Sequence, residues 1–203
     1  MGRYRVLDAL STLAFDYPAR SSYFTSELEQ FLLLTHEESL DALSAVGSYA
    51  GAMGAPQFMP GSLRRFAVDA DGDGKRDLWS DWADILASVA NYFRVHGWQP
   101  NGVVLTDVDI DQQHANGLDS RPLALNETIA SLRAKGVQFK ESLPDDAPAM
   151  LIAADEPDEV RFRVGLNNFY VITRYNRSPL YAMAVNDLAN RILERVFSDE
   201  PPG

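Results

Sequence analysis

Asp69-Ala-Asp-Gly-Asp-Gly-Lys-Arg-Asp77 sets carboxylates at positions one, three, five and nine of a short loop, with Gly74 at position six. Alternate side chains on such a loop converge on one point, and glycine at six allows the sharp turn. This is how an EF-hand loop surrounds a calcium ion with oxygen donors. Lys75, at position seven, offers its backbone carbonyl. Position twelve is Ser80 where a bidentate glutamate is usual, which leaves three candidates to complete the site: Ser80 itself, Asp84, about one helical turn further on and able to supply that carboxylate, and its rival Asp81. Bound calcium would brace the loop and offset part of its charge. The competing reading is an Asp- and Gly-rich surface turn that holds no metal.

A second stretch, Gly47-Ser-Tyr-Ala-Gly-Ala-Met-Gly-Ala-Pro-Gln-Phe-Met-Pro60, mixes small residues with Ser48, Tyr49 and Gln57. Small residues permit close backbone approach, so a ligand could lie against this segment. On composition alone, tight packing around a buried Gln57 is the stronger reading.

The elements that must position these stretches are mostly helical. Val6–Leu13 and Ser26–Leu34 read as helices separated by Tyr17-Pro18, the second carrying Leu28, Phe31, Leu32 and Leu34 at near-helical spacing. Gly47–Gly61 reads as a short helix plus irregular loop. An amphipathic helix starts at Asp81 or Asp84, with Ile85, Leu86, Val89 and Phe93 on one face, and stops at His96-Gly97. Pro100–Leu123 reads as loop or linker, and Asn126–Lys135 as a short helix capped by Asn126. Ala149–Ala153, Val160–Val164 and Phe169–Thr173 are β-type runs. Tyr181–Phe197 closes the chain as a helix striped by Val185, Leu188, Ile192 and Val196. There is no internal repeat. The order divides the chain into a helical part over 1–100, a small β-containing part over 101–166 and a return to helix over 167–203.

Composition removes several function classes. With 18 Lys and Arg against 29 Asp and Glu, the net charge of −11 is opposite to what phosphate neutralisation needs, which excludes a nucleic-acid partner. No cysteine is present, so there is neither a disulfide framework nor a thiolate metal site. No apolar run reaches the ~18 residues of a membrane-spanning helix. Met1–Asp8 lacks the apolar region of a secretion signal, which is informative only if Met1 is the true start. His36, His96 and His114 share no metal-type spacing and read as surface or capping residues.

Four segments in order carry a wider resemblance: Arg5-Val-Leu-Asp-Ala-Leu10, Gly47–Pro60 with the acidic loop after it, Ala90-Asn-Tyr-Phe-Arg-Val-His-Gly-Trp98, and Asn168-Phe-Tyr-Val-Ile-Thr-Arg-Tyr-Asn176. Together they resemble the membrane-bound lytic murein transglycosylase B family, from Arg3 to about Ala189 and least between Pro100 and Arg163. The resemblance implies an α+β, mainly helical fold: a lysozyme-like core with a small β-containing insertion and one EF-hand-type calcium loop. It implies cleavage of the β-1,4 bond between N-acetylmuramic acid and N-acetylglucosamine of peptidoglycan. One glutamic acid protonates the leaving oxygen, then acts as base while the muramic C6 hydroxyl closes on C1 to give a 1,6-anhydro end.

Residue by residue, the resemblance implies that Gln57 lies near the reacting sugar and Ser48 near the catalytic acid, that Tyr92 lines the groove, and that Tyr175 and Asn176 line the cleft opposite. Core packing is the alternative for Tyr92 and Tyr175. It implies Asp69, Asp71, Asp73 and Asp84 as calcium ligands, with Lys75 as carbonyl donor. It further implies peptidoglycan glycan strands as the partner, a monomer, a periplasmic location and a possible outer-membrane lipid anchor on a preceding N-terminus. In a bacterial cell-wall setting, the Asn126-Glu-Thr128 and Asn176-Arg-Ser178 sequons read as chance.

The family's catalytic glutamate sits in an E-x-x-aromatic-G motif ahead of the position of Gly2, and no glutamate of these 203 residues stands in such a motif. Glu27 and Glu29 fall in the following helix. The expectation is therefore a chain with little or no lytic activity of its own, its acid lying upstream of Met1. The rival is a non-catalytic, calcium-stabilised peptidoglycan-binding module. A dockerin-type module is disfavoured, because such modules pair two calcium loops and this chain has one.

Overall fold

The computed structural model describes residues 2–110, 123–155 and 160–198. The chain forms two compact units, Met1–Tyr92 and Phe93–Gly203.

The first unit opens with β1 (Tyr4–Arg5), α1 (Val6–Asp16), a 3-10 turn at Pro18–Arg20 and α2 (Ser21–Glu37). Val6, Leu10 and Ala14 of α1 are buried, as are Phe24, Phe31 and Leu34 of α2. The α1 residues are four apart and those of α2 seven and three apart, so each helix buries one stripe, while Phe15, Tyr23 and Leu33 stay exposed on the remaining faces. Leu32, placed on the α2 stripe by spacing, is instead exposed. Pro18 breaks the helix and starts the tight turn, as the Tyr17-Pro18 pair predicts.

Between α2 and the next helix the chain first forms turns, such as the one in which the Ala45 N–H donates to the Asp41 carbonyl at 3.1 Å. β2 (Val46–Gly47) pairs antiparallel with β1, then Gly47 bridges Met53 and Met53 bridges Phe58. The expected short helix within Gly47–Gly61 is replaced by this miniature ladder, and helix resumes at α3 (Pro60–Phe66). Four glycines and two prolines across the segment explain the difference, because both residue types penalise a helix interior. Pro60 takes the first helical position, where its missing N–H costs nothing.

The acidic loop leads into α4 (Trp82–Val95). Asp81 is its cap, accepting the N–H groups of Ala83 (2.7 Å) and Asp84 (3.1 Å). Ile85 is buried, but Leu86, expected beside it, is exposed. Gly97 ends the helix with φ +90°, as His96-Gly97 predicts.

The second unit is built on a five-stranded antiparallel sheet in the order β4-β6-β7-β3-β5. Its strands are β3 (Leu105–Asp109), β4 (Glu127–Thr128), β5 (Gln138–Phe139), β6 (Pro148–Asp155) and β7 (Val160–Gly165). β3 lies inside the stretch expected to be loop; residues 111–122 of that stretch, with His114, fall outside the described residues. α5 (Ile129–Ala134) is shorter than the expected Asn126–Lys135, and its cap is Thr128, not Asn126. Thr128 and Ser131 form a reciprocal capping box, and Glu127 accepts from the Ser131 hydroxyl at 2.6 Å.

β6 is apolar on both faces because the sheet is covered on both. Leu151 packs toward Ile129, Leu132 and Val164, while Met150 and Ile152 pack toward Phe169, Ile172 and Met183. That second layer corrects another expectation. Phe169–Thr173 is not a strand but the middle of α6 (Asn167–Tyr175). Its aromatic and β-branched residues favour a strand locally, yet Phe169 and Ile172, three apart, bury one helical face, and packing overrides propensity. Asn168, almost fully buried, donates to the carbonyls of Gln99 (2.7 Å) and Gly102 (3.1 Å) and accepts the Gln99 N–H (2.8 Å). α7 (Pro179–Ser198) is the long final helix, and its stripe residues Leu188, Ile192 and Val196 are exposed.

Candidate functional site

The miniature ladder holds Ser48 and Gln57. The Ser48 Oγ accepts the N–H groups of Ala50 (3.2 Å) and Ala52 (3.0 Å), so the hydroxyl closes the turn that exposes Tyr49. A hydroxyl that accepts twice keeps its proton to donate.

Gln57 is exposed, which corrects the expectation of a buried glutamine, and its backbone lies in the left-handed region at φ +55°. Its Nε2 donates to the Gly54 carbonyl at 2.8 Å, leaving the amide oxygen and a second N–H with capacity for a ligand. A non-glycine residue there costs on the order of 1–2 kcal/mol and persists only where its surroundings impose it.

Those surroundings are tight. Met53 is fully buried, and its N–H and carbonyl pair with Phe58 at 2.8 and 3.0 Å. Gly54 has φ +67°, and a Cβ there would stand 2.6 Å from the Leu78 carbonyl oxygen. Tyr92, only 8% exposed, packs between Phe58 (centroids 5.7 Å apart) and Phe66 (4.9 Å, edge to face).

In the acidic loop the carboxylates are first used on the backbone. Asp69 accepts from Gly72 (2.7 Å) and Gly74 (2.9 Å), Asp71 from Asp73 (3.1 Å), and Asp73 from Lys75 (2.8 Å). Asp84, 1% exposed, reaches from α4 to accept Ala70 N–H (2.7 Å) with one oxygen and Asp77 N–H (2.8 Å) with the other. Asp69, Asp71 and Asp84 each bring an oxygen within 4.8 Å of the others. Such a cluster of carboxylate oxygens suits a hard divalent cation.

The electrostatics of Asp71 fit that donor set. The Asp73 N–H lowers its carboxyl, but burial and the charges of Asp73, Asp81 and Asp84 together lift it above the ordinary carboxylate value. Of the three candidates for the closing ligand, Asp84 joins the cluster. Asp81 caps α4, and the Ser80 hydroxyl donates to Asp77. Asp73 and Lys75 are not part of that three-carboxylate cluster.

Tyr175 and Asn176 belong to the second unit. Tyr175 ends α6, half-buried, with its ring 5.9 Å from Phe93. Asn176 is exposed, caps α6 and accepts the Ser178 N–H (3.1 Å), which shapes the turn into α7.

Sequence reasoning missed the polar seam along α2. Glu27 accepts the Gly61 N–H at 2.8 Å, Glu37 pairs with Arg64, and Glu38 pairs with Arg76. Glu27, Gln30, Leu34, Glu37 and Glu38 do lie on one helical face, a spacing that flags the seam but not its partners.

Residues 1–190 match the transglycosylase SLT domain family. Membrane-bound lytic murein transglycosylase B of Escherichia coli K12 is 44% identical over 192 residues, covering 95% of this chain and 52% of that protein. The crystal structure of soluble lytic transglycosylase SltB1 from Pseudomonas aeruginosa superposes with a TM-score of 0.91 at 48% identity, covering 96% of this chain and 64% of that one. The E. coli lytic transglycosylase Slt35 in complex with calcium gives 0.86 at 44% identity, covering 97% and 62%. The chain thus spans about half the length of the curated relative. The helices and sheet described above are those of a lysozyme-like lytic transglycosylase fold. With the match running through both units and through the ladder and acidic loop, the chain belongs to the transglycosylase SLT domain family.

Proposed function

We propose that this chain supplies the glycan-holding part of a lytic transglycosylase that acts on peptidoglycan, with 101–166 as its small β-containing subdomain and 1–100 and 167–203 as its helical parts. The observation that carries the reading is Gln57: an exposed amide on a strained backbone, fixed by a buried ladder, in a chain of this family. Strain of this kind gathers at ligand sites.

Gln57 and Ser48 would hydrogen-bond acetamido and hydroxyl groups of the sugars, and Asn176 and the Tyr175 hydroxyl would do the same from the second unit. Tyr92 belongs with them as the ring on which Phe58 sits, holding the segment that carries Gln57.

The acidic loop is an EF-hand-type calcium site in this reading, with Asp69, Asp71, Asp73 and Asp84 as carboxylate ligands and Lys75 as carbonyl donor. The named calcium complex of Slt35 and the cluster of three carboxylates support it. Calcium would offset part of the loop's negative charge and lock its approach to α4. Glycan strands of peptidoglycan are the proposed partner, the monomer the proposed state and the periplasm the proposed location, with membrane attachment in keeping with the name of the curated relative. Among the described residues no helix is long and apolar enough to cross a membrane.

None of the chain's glutamates stands in an E-x-x-aromatic-G motif, so the sugar oxygen lacks its positioned proton donor here. General acid catalysis is typically worth about 10² to 10⁴ in rate. The 203-residue protein should therefore bind peptidoglycan and release little or no 1,6-anhydromuropeptide when digests are read by mass spectrometry. Clear release would place the acid within this chain; absence of binding would overturn the reading.

A further inference from the structure

α3 begins Pro60-Gly61 and has seven residues, so its first N–H groups lack partners within the helix. Pro60 has none to offer. The Gly61 N–H is taken by Glu27 Oε2 of α2 at 2.8 Å. A Cβ at Gly61 would stand 3.2 Å from Glu27 Oε1 and 3.3 Å from Oε2, so glycine is what lets the carboxylate seat against the helix start. Further along the same face of α2, Gln30 accepts from Arg64 and Glu37 pairs with Arg64 Nε at 2.9 Å. Glu38 binds Arg76, which also donates to the Arg64 carbonyl at 3.3 Å. α2 thus ties α3 at its start and again near its end.

Gln57 lies three residues before Pro60, in the left-handed conformation that its neighbours must impose. The Met59 carbonyl accepts the Leu63 N–H at 2.9 Å, which joins the segment after Gln57 to the first turn of α3. We propose that Glu27 is a positioning residue for Gln57: by accepting the Gly61 N–H it fixes the first turn of α3, and with it the direction in which Gln57 presents its amide to the glycan. This rests on the reading of Gln57 as a glycan contact. Burial raises the Glu27 carboxyl above its ordinary value although the Gly61 N–H works the other way, so the side chain stays half-buried at a solvation cost for this one contact.

The test compares Glu27→Gln, which keeps an oxygen acceptor, with Glu27→Ala, which removes it, and with Glu29→Ala as an exposed neighbour on α2. The 203-residue protein is titrated calorimetrically with a tetrasaccharide of alternating N-acetylglucosamine and N-acetylmuramic acid, and each variant's melting curve confirms that it is folded at the titration temperature. Glu27→Ala should bind about tenfold more weakly, as loss of one charge-assisted bond predicts, while Glu27→Gln and Glu29→Ala stay within about twofold of the parent. Wild-type affinity in folded Glu27→Ala overturns the proposal, and so does a Glu27→Gln protein as weak as Glu27→Ala.

Should Glu27→Ala not fold, Glu27→Asp, one methylene too short to reach Gly61, takes its place in the comparison. If the parent itself binds no glycan, the reading of Gln57 fails separately. Hydrogen exchange then decides the positioning step. Faster exchange of the Gly61 and Gln57 amides in Glu27→Ala, restored in Glu27→Gln, upholds it, and unchanged exchange overturns it.

Discussion

Two glycine-bearing loops of the first unit, the Gly47–Phe58 ladder and the Asp69–Asp77 loop, reach their shapes by opposite means. In the ladder, Gly54 combines φ +67° with a neighbour that a Cβ would strike, the Leu78 carbonyl at 2.6 Å. In the acidic loop, Gly72 and Gly74 have similar φ values of +80° and +88°, but a Cβ at either would meet nothing within 4 Å. The first loop is moulded by packing and backbone pairing and needs no ligand to hold it. The second is held open to solvent by its own carboxylates, which accept its N–H groups while repelling one another. A ligand contact that must be rigid sits on the first. A charge that a cation can neutralise collects on the second.

The sharpest way to break this contrast is to add one methyl to each loop. Gly54→Ala must accept both strain and a backbone clash and should lose roughly 2–4 kcal/mol. Gly72→Ala meets only the conformational penalty of about 1 kcal/mol. Urea unfolding in calcium-free buffer reads both, and equal losses would show that packing does not distinguish the loops.

Calcium provides the next largest effect. A ligand bound only by the folded state adds about 2.7 kcal/mol at one hundred times its Kd. Millimolar calcium should raise the melting temperature of the parent and of Gly54→Ala alike. It should fail to do so for Asp84→Asn, which removes one carboxylate charge from the cluster. A full response in Asp84→Asn would remove Asp84 from the site.

A smaller effect isolates strain from contact. Gln57→Gly relieves the left-handed backbone whereas Gln57→Ala keeps it, and both lose the bond to Gly54. The glycine variant should therefore be more stable than the alanine variant by on the order of 1 kcal/mol, although both lose glycan affinity.

The smallest effect is the pH dependence of Glu27. Burial raises its folded carboxyl above the ordinary value of 4.5, with the Gly61 N–H opposing. An acid raised by folding favours the fold while protonated, below its unfolded value, and that contribution is lost as pH rises through the folded value. Glu27→Gln should thus be at least as stable as the parent at pH 7, with any advantage vanishing at pH 4. An advantage that grew on acidification would reverse the assignment.

What could be read from the sequence follows the same division. The carboxylate spacing of the acidic loop is written in consecutive residues, and the helices around it announce themselves by apolar period and by Pro18 and Gly97. The ladder does not announce itself, because its order comes from residues far apart: Tyr4 with Gly47, Ala55 with Leu78, Gly61 with Glu27. α6 was legible as apolar but not as helix, since Phe169, Tyr170, Val171 and Ile172 favour a strand until Phe169 and Ile172 find the sheet. Asp81 and Asp84 have one chemistry and similar spacing. Only the fold makes one a helix cap and puts the other in the carboxylate cluster. The stripe on α7 was legible as a stripe, but not that Leu188, Ile192 and Val196 would face solvent.

The most direct measurement is an amide chemical-shift titration of the calcium-loaded 203-residue protein with the alternating tetrasaccharide, run in parallel on Gln57→Ala. Saturable shifts are expected over residues 46–58 and at Tyr175 and Asn176, with the affinity weakened about tenfold or more in Gln57→Ala while the rest of the spectrum stays folded. Unmoved amides over residues 46–58, or an affinity indifferent to Gln57, would contradict the account.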